Sequence, residues 1–380
     1  MKIGFDGKRA VQNFTGLGNY SRYIIDILSR FSSENEYLLY APRKRSNRVF
    51  NELLQHHPRL RAVYPEGVWR HFKSLWRTFG ITSCLDKDGI DLFHGLSNEL
   101  PLNIRKAKHT KSIVTIHDLI FLRYPSYYHW IDRNIYAYKF RKACENANVV
   151  IAISECTKRD IISYFRIPEE KIKVIYQGCH VSFTKLALPA KKQEVREKYN
   201  LPQRYILSVG SIEERKNVLL VVKALLHLPE DIQLVILGRR TPYANQIDNF
   251  VHFHRLEKRV KILSGVPFAD LPAIYQQAEI FVYPSHFEGF GIPIIEALHS
   301  GVPVVAATGS CLEEAGGPGS MYVNPDDVEA MADALKRVSA DAGLRQKMVM
   351  QGKEYVCRFS EEEQARQLLE CYEQIVSGRV

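Results

Sequence analysis

The chain lacks several of the features that would assign it quickly. Its seven cysteines (Cys84, Cys144, Cys156, Cys179, Cys311, Cys357 and Cys371) are scattered, with no Cys-x-x-Cys pair. That argues against a zinc site or a disulfide framework and suits a reducing cytoplasm. No window approaches the 18 or more consecutive apolar residues of a membrane span. The opening Met1-Lys2-Ile3-Gly4-Phe5-Asp6 has no signal-peptide core and reads as a first strand. Asp-x-Asp occurs as Asp86-Lys87-Asp88, ahead of a strand rather than at the end of one, where a metal-bound phosphate would need it. No recognised nucleic-acid motif interleaves the aromatic and basic residues, although the pI is about 9.1.

What is present is a chain long enough for two domains, with 46% hydrophobic and 25% charged residues, as in ordinary globular proteins. The net charge of +10 is unevenly divided. Residues 1–180 carry 29 Lys and Arg against 17 Asp and Glu; the remainder carry 23 against 25. The first half is therefore expected to face something anionic. In that half, Val68, Trp69, Phe72, Leu75, Trp76 and Phe79 share one helical face, opposite Arg70, Lys73 and Arg77. This pattern fits either a helix lying in a membrane interface or a surface helix packed on a sheet.

Apolar runs alternate with helical periodicity along most of the chain, the mark of doubly wound α/β domains. Strands are expected at Asp91–Gly95, Ser112–Asp118, Val149–Ser154, Lys173–Ile175, Tyr205–Val209, Gln233–Leu237, Val260–Leu263, Ala278–Tyr283 and Val302–Ala307. Residues 43–61 read as a basic loop and 181–200 as an interdomain linker. In open α/β sheets ligands collect beyond the carboxyl ends of strands. This singles out His117, delivered there by its apolar run; His94 reads more simply as a structural histidine.

Three glycine turns follow strands. Gly16-Leu17-Gly18 opens an amphipathic helix. A dinucleotide site is the other reading there, but the third glycine and the acid closing the second strand are missing. Gly210 begins a crossover carrying Arg215 and Lys216, either a diphosphate clamp or an exposed basic pair. The third turn, Phe287-Glu288-Gly289-Phe290-Gly291-Ile292-Pro293, leads into a helix with Glu296 close to its start and Gly301 beyond its end. Free backbone N–H groups at a helix start attract anions. A carboxylate beside that place makes sense as an acceptor of sugar hydroxyl protons. Glu296 as a mere complement to the helix dipole, and Glu288 as a solvated loop residue, remain the alternatives.

The spacing of Glu288 and Glu296, with Gly-Phe-Gly after the first, resembles the signature of the retaining GT-B glycosyltransferases of family 4. Phe5-Asp6-Gly7, Phe93-His94-Gly95, Thr115-Ile116-His117-Asp118-Leu119, Ala152-Ile153-Ser154-Glu155 and Val209–Asn217 extend the similarity over nearly the whole chain. Within the family it is similar to the bacterial mannosyltransferases of O-antigen and capsular chains. The resemblance implies two Rossmann-like doubly wound domains facing a central cleft. Domain one would span 1–183 and the donor domain 184–357, with a helix at 358–380 crossing back. His117 and Glu288 would face the donor sugar, and Arg215 and Lys216 would neutralise the diphosphate. Glu296 would hold the ribose and Val266 border the base, with the backbone of Gly16, Gly18, Gly210, Gly289, Phe290, Gly291 and Ile292 lining the donor.

The resemblance further implies a metal-free retaining transfer with no cofactor. The donor would be a nucleoside-diphosphate sugar such as GDP-mannose, and the acceptor a saccharide or lipid-linked saccharide. A cytoplasmic enzyme in peripheral contact with an anionic membrane is the expectation, with no nucleic-acid partner. A GT-B nucleotide-sugar epimerase and a basic nucleic-acid-binding protein are the competing readings. One departure stands out: the family's Asn-Gly-Val-Asp is here Gln177-Gly178-Cys179-His180.

Overall fold

The computed structural model describes every residue except Ser46 and Val380. The chain divides into two compact units: Met1–Tyr176 together with Glu361–Val380, and Gln177–Ser360. The division falls a few residues before the expected 183/184. The segment after Tyr176 packs with the second unit, where Phe183 sits edge-on to both Phe268 and Tyr275.

The first unit holds seven parallel strands: β1 (Lys2–Asp6), β2 (Glu36–Tyr40), β3 (Leu60–Val63), β4 (Leu92–Gly95), β5 (Lys111–Ile116), β6 (Val149–Ala152) and β7 (Ile172–Val174). Their order is β3-β2-β1-β4-β5-β6-β7. The second unit holds β8 (Tyr205–Val209), β9 (Gln233–Leu237), β10 (Val260–Leu263), β11 (Ile280–Tyr283), β12 (Val304–Ala307) and β13 (Met321–Val323), in the order β10-β9-β8-β11-β12-β13. Both orders reverse after the first strand of the set, the Rossmann pattern. The reversal opens a crevice at the carboxyl ends of β1 and β4 in one unit and of β8 and β11 in the other. Central strands such as Phe281, Val282 and Val304–Ala307 are buried on both faces, which is why they read as continuous apolar runs.

The helix Glu361–Val376 belongs to the first unit. It buries Ala365, Leu368, Tyr372 and Ile375, one stripe at three-four spacing, and Arg30 pairs with Glu361 at 2.6 Å.

Four expectations need correction. Residues 43–61 contain a helix, Arg48–His56, whose N-terminus is capped by the Asn47 side chain accepting from the Phe50 amide. Residues 181–200 contain the helix Pro189–Tyr199, opened by its proline. The first strands also include β2 and β3, which alternation alone does not pick out. The single helix read over 68–79 is broken: a 3₁₀ turn, Gly67–Arg70, precedes a new helical start at Lys73. The break shifts the helical phase, so Trp76 is 1% exposed and lies beside Tyr40. Arg77 turns inward to Asp6 (2.5 Å) and Glu99 (2.7 Å), and no longer lies on a solvent face with Arg70.

Candidate active site

In the second unit the two loops at the strand reversal bring three charged side chains together. The loop after β8 ends in the 3₁₀ turn Glu214–Lys216; the loop after β11 carries Glu288. Lys216 Nζ lies 2.6 Å and Arg215 Nη1 3.0 Å from the same Glu288 oxygen, Oε1. All three side chains are less than one-fifth exposed. Lys216 also donates to the Tyr283 hydroxyl at 2.8 Å, and Arg215 donates to the Phe287 carbonyl and to Glu213. The His286 amide in turn donates to the Arg215 carbonyl at 3.0 Å, so the two loops are fastened to each other.

The electrostatics follow from this packing. Burial pushes the Glu288 carboxyl up, but Lys216 and Arg215 outweigh burial and hold it down at about 2. Burial likewise lowers Lys216 and Arg215, and Glu288 overrides it, so both remain cationic. Counting Glu213, which pairs with Arg215 at 2.9 Å, the cluster sets two cations against two carboxylates, with Glu288 shared by both cations.

Glu296 has a different environment. It sits on the helix Ile292–His299, beyond the first turn, so complementing the helix dipole is not its role. Burial pushes its carboxyl up to about 7, opposed by one hydrogen bond from Tyr275 Oη at 2.8 Å. It keeps a partial opening to solvent.

The loop between the two glutamates is shaped by glycine. Gly291 has φ +136°, and a Cβ there would lie 3.1 Å from that of Ala315. The Phe290 ring is 2% exposed and packs edge-on against Phe359, so this residue can offer a ligand only its backbone. Gly289 and Ile292 are half-buried beside it. Cys311 Sγ lies 2.8 Å from the Phe290 carbonyl and 3.0 Å from that of Glu288, holding both turned inward. Gly210, at φ +152°, has the Lys216 side chain folded over it. Val266 is half-buried in the loop after β10.

In the first unit His117 follows β5. It is 6% exposed, and its Nε2 lies 2.9 Å from the Leu96 carbonyl, which sets Nε2 as the protonated nitrogen. Burial lowers its pKa to about 4, so the ring is neutral at pH 7. Tyr20 packs edge-on to it at 4.5 Å. His94 is fully buried, with Tyr372 Oη 2.6 Å from Nδ1 and Thr115 Oγ1 2.8 Å from Nε2, tying the C-terminal helix to β4 and β5. Gly18 serves packing: a Cβ there would lie 1.9 Å from the Asn13 carbonyl oxygen, and its amide lies 3.2 Å from the Asn13 side chain. Gly16 has open space around it.

The charged residues expected at the donor domain are thus together, apart from Glu296, which stands separately with Tyr275. Tyr275, Tyr283 and Cys311 escaped sequence reasoning. Of these only Tyr283, at the carboxyl end of β11, carried the positional signal that singled out His117.

Comparison with known proteins accords with this geometry. Residues 20–183 match the model described as Glycosyltransferase Family 4, and residues 191–355 that of Glycosyl transferases group 1. O-antigen chain mannosyltransferase B of Escherichia coli is 30% identical over 287 residues, 74% of each chain. O-antigen chain mannosyltransferase RfbU of Salmonella typhimurium is 30% identical over 225 residues, 59% of this chain and 60% of that one. Among solved structures, a sucrose-phosphate synthase of Thermosynechococcus elongatus superposes with TM-score 0.80 at 21% identity over the whole of both chains. Anabaena HepE, solved with UDP and glucose, superposes with TM-score 0.77 at 19% identity over 98% of this chain and all of that one. The two Rossmann-like units are those of the GT-B fold, and the chain belongs to the family 4 glycosyltransferases.

Proposed function

We propose that this protein is a retaining, metal-independent mannosyltransferase that moves mannose from GDP-mannose to a saccharide or lipid-linked saccharide in surface polysaccharide synthesis. The observation that carries this reading is the Arg215–Lys216–Glu288 cluster at the strand reversal of the second unit. Support for the sugar comes from the O-antigen mannosyltransferases to which the chain is similar.

In this reading the C1–O bond to the diphosphate breaks and its electron pair passes to the leaving oxygen. Arg215 and Lys216 meet that growing charge in a site preorganised by Glu288 and Tyr283. The acceptor hydroxyl attacks the face the nucleotide leaves, and its proton passes to the departing phosphate oxygen. Glu288, ionised throughout the neutral range, stabilises positive charge developing at C1. Glu296 accepts hydrogen bonds from the ribose hydroxyls. A neutral His117 serves as a hydrogen-bond partner for the sugar and not as an acid.

Peripheral membrane contact belongs to the same reading, but not through Trp76. The helix Trp130–Asn146 buries Phe140, Ala143 and Cys144 on one side. Outward it presents a second apolar stripe of Trp130 (69% exposed), Ile131 (65%), Ile135 and Tyr138. Arg133 and Arg141 on the same helix suit anionic headgroups, whereas Lys139 and Lys142 are paired with Glu99 and Glu145. Among the described residues no helix is long and apolar enough to cross a membrane.

The experiment is a panel of nucleotide sugars with oligosaccharide acceptors, read by release of nucleoside diphosphate. Acceptor-dependent release from GDP-mannose above all other donors is expected. Preference for another donor overturns the sugar, and epimer exchange without acceptor overturns the transfer.

A further inference from the structure

Glu288 has two cations to fix it; Glu296 has neither. Among the described residues Glu296 forms no ion pair, and the Tyr275 hydroxyl, at 2.8 Å from Oε2, is the side-chain partner the structure gives its carboxylate. Tyr275 is itself closely packed. Its ring is fully buried, stacked on Phe281 at 5.4 Å and edge-on to Phe183 at 5.4 Å. It ends the short helix Leu271–Tyr275, which starts beside Asp270. Asp270 is held by Lys191 and Lys198, each at 2.8 Å, and by the Tyr199 hydroxyl at 2.7 Å, all on or ending the helix Pro189–Tyr199. Gln276 and Gln277, next in the chain, bond the backbone at Lys185, Ala187 and Lys192. A rigid element thus aims one hydroxyl at one carboxylate.

We infer that Tyr275 is a positioning residue for the donor nucleotide: its hydroxyl occupies Oε2 of Glu296 and leaves Oε1 to accept from the vicinal hydroxyls of the ligand's ribose. This rests on the reading of Glu296 given above. The hydroxyl does two things at once. It fixes the carboxylate rotamer before the ligand arrives, and it favours the ionised form, which accepts from hydroxyls without donating. Burial opposes ionisation, so without Tyr275 the group would be more protonated at pH 7. Tyr283 on β11 and Cys179 are the other titratable groups acting on Tyr275.

The test is Tyr275→Phe in the full chain, titrated with GDP and with 2′,3′-dideoxy-GDP between pH 6 and 8.5. The phenylalanine keeps the ring packing and removes only the donor. GDP affinity at pH 7 should fall about ten-fold, as for a hydrogen bond to a charged group, and most of the loss should be recovered at pH 8.5. Dideoxy-GDP, lacking the ribose hydroxyls, should bind both proteins alike, and kcat at saturating donor should hold within about two-fold. Equal weakening of both nucleotides at every pH would reduce Tyr275 to a packing residue and overturn the inference. So would unchanged GDP affinity in Tyr275→Phe while Glu296→Gln weakens it. If Glu296→Gln leaves GDP affinity unchanged, the underlying assignment of Glu296 fails instead.

Discussion

Glu288 is the counter-ion of two buried cations in the absence of donor, and replacing it gives an unusual combination of effects. In Glu288→Gln the shape and one accepting oxygen are kept, but Lys216 and Arg215 lose the negative charge that sits 2.6 and 3.0 Å from them. At an effective dielectric near 20, a pair at the Lys216 distance attracts by about 6 kcal/mol before desolvation. Breaking a buried pair typically costs about 3–5 kcal/mol, because the remaining charge is left uncompensated. For a unit of this size that lowers Tm by roughly 6–20 °C. A diphosphate can supply the missing negative charge, so the Tm rise on adding GDP should be larger in Glu288→Gln than in the wild type, while turnover falls. The wild-type contribution has a defined pH window. Because the folded carboxyl is depressed to about 2, the stabilisation is fully present above the unfolded value and is lost as pH falls through the folded one. Differential scanning fluorimetry with and without GDP at pH 7, and without it down to about pH 3, reads all of this. An unchanged Tm together with an unchanged GDP response would refute the pairing.

Arg215→Ala combined with Lys216→Ala should reduce transfer by at least about 100-fold, as loss of a transition-state electrostatic donor does, and chelator should not affect the wild-type rate. Glu296→Gln should weaken nucleotide binding by roughly 1.5–3 kcal/mol. In the wild type GDP should bind more tightly as pH rises through about 7, because the raised carboxyl ionises there, and titration calorimetry should find that dependence absent from Glu296→Gln. Binding to anionic vesicles should fall steeply between low and high salt, and fall further in Trp130→Ala/Ile131→Ser; equal partition to neutral vesicles would refute the charge argument.

Much of this architecture was legible in the sequence, for identifiable reasons. Parallel strands covered on both faces must be apolar throughout, so β5, β6, β8, β9, β11 and β12 announced themselves. The Glu288–Glu296 loop was visible because a strand, glycines and a helix-opening proline follow one another at fixed spacing. β3 was hard to see, since Arg61 interrupts a four-residue edge strand; β2 is a short apolar run, Tyr37–Tyr40 after Glu36, too brief to be told from a helix segment by periodicity alone. The helix Arg48–His56 was lost among charged residues whose ordering depends on its Asn47 cap and on burying Phe50 and Leu53. The Trp69/Trp76 face misled because periodicity assumes an unbroken helix, and the break at His71–Phe72 buried Trp76 and Arg77. Nor could the sequence show that Arg215 and Lys216 are already engaged by Glu288. Tyr275 lies 21 residues from Glu296, and only the tertiary fold joins them.

The central claim is retention of configuration at the sugar carbon released from the diphosphate. Its most direct measurement is the NMR anomeric assignment of the product made by the purified enzyme from GDP-α-mannose and a synthetic saccharide acceptor. The account predicts an α-mannosidic linkage, formed equally well in the presence of chelator and lost in Arg215→Ala/Lys216→Ala. A β linkage, or α transfer that survives loss of both cations, would contradict it.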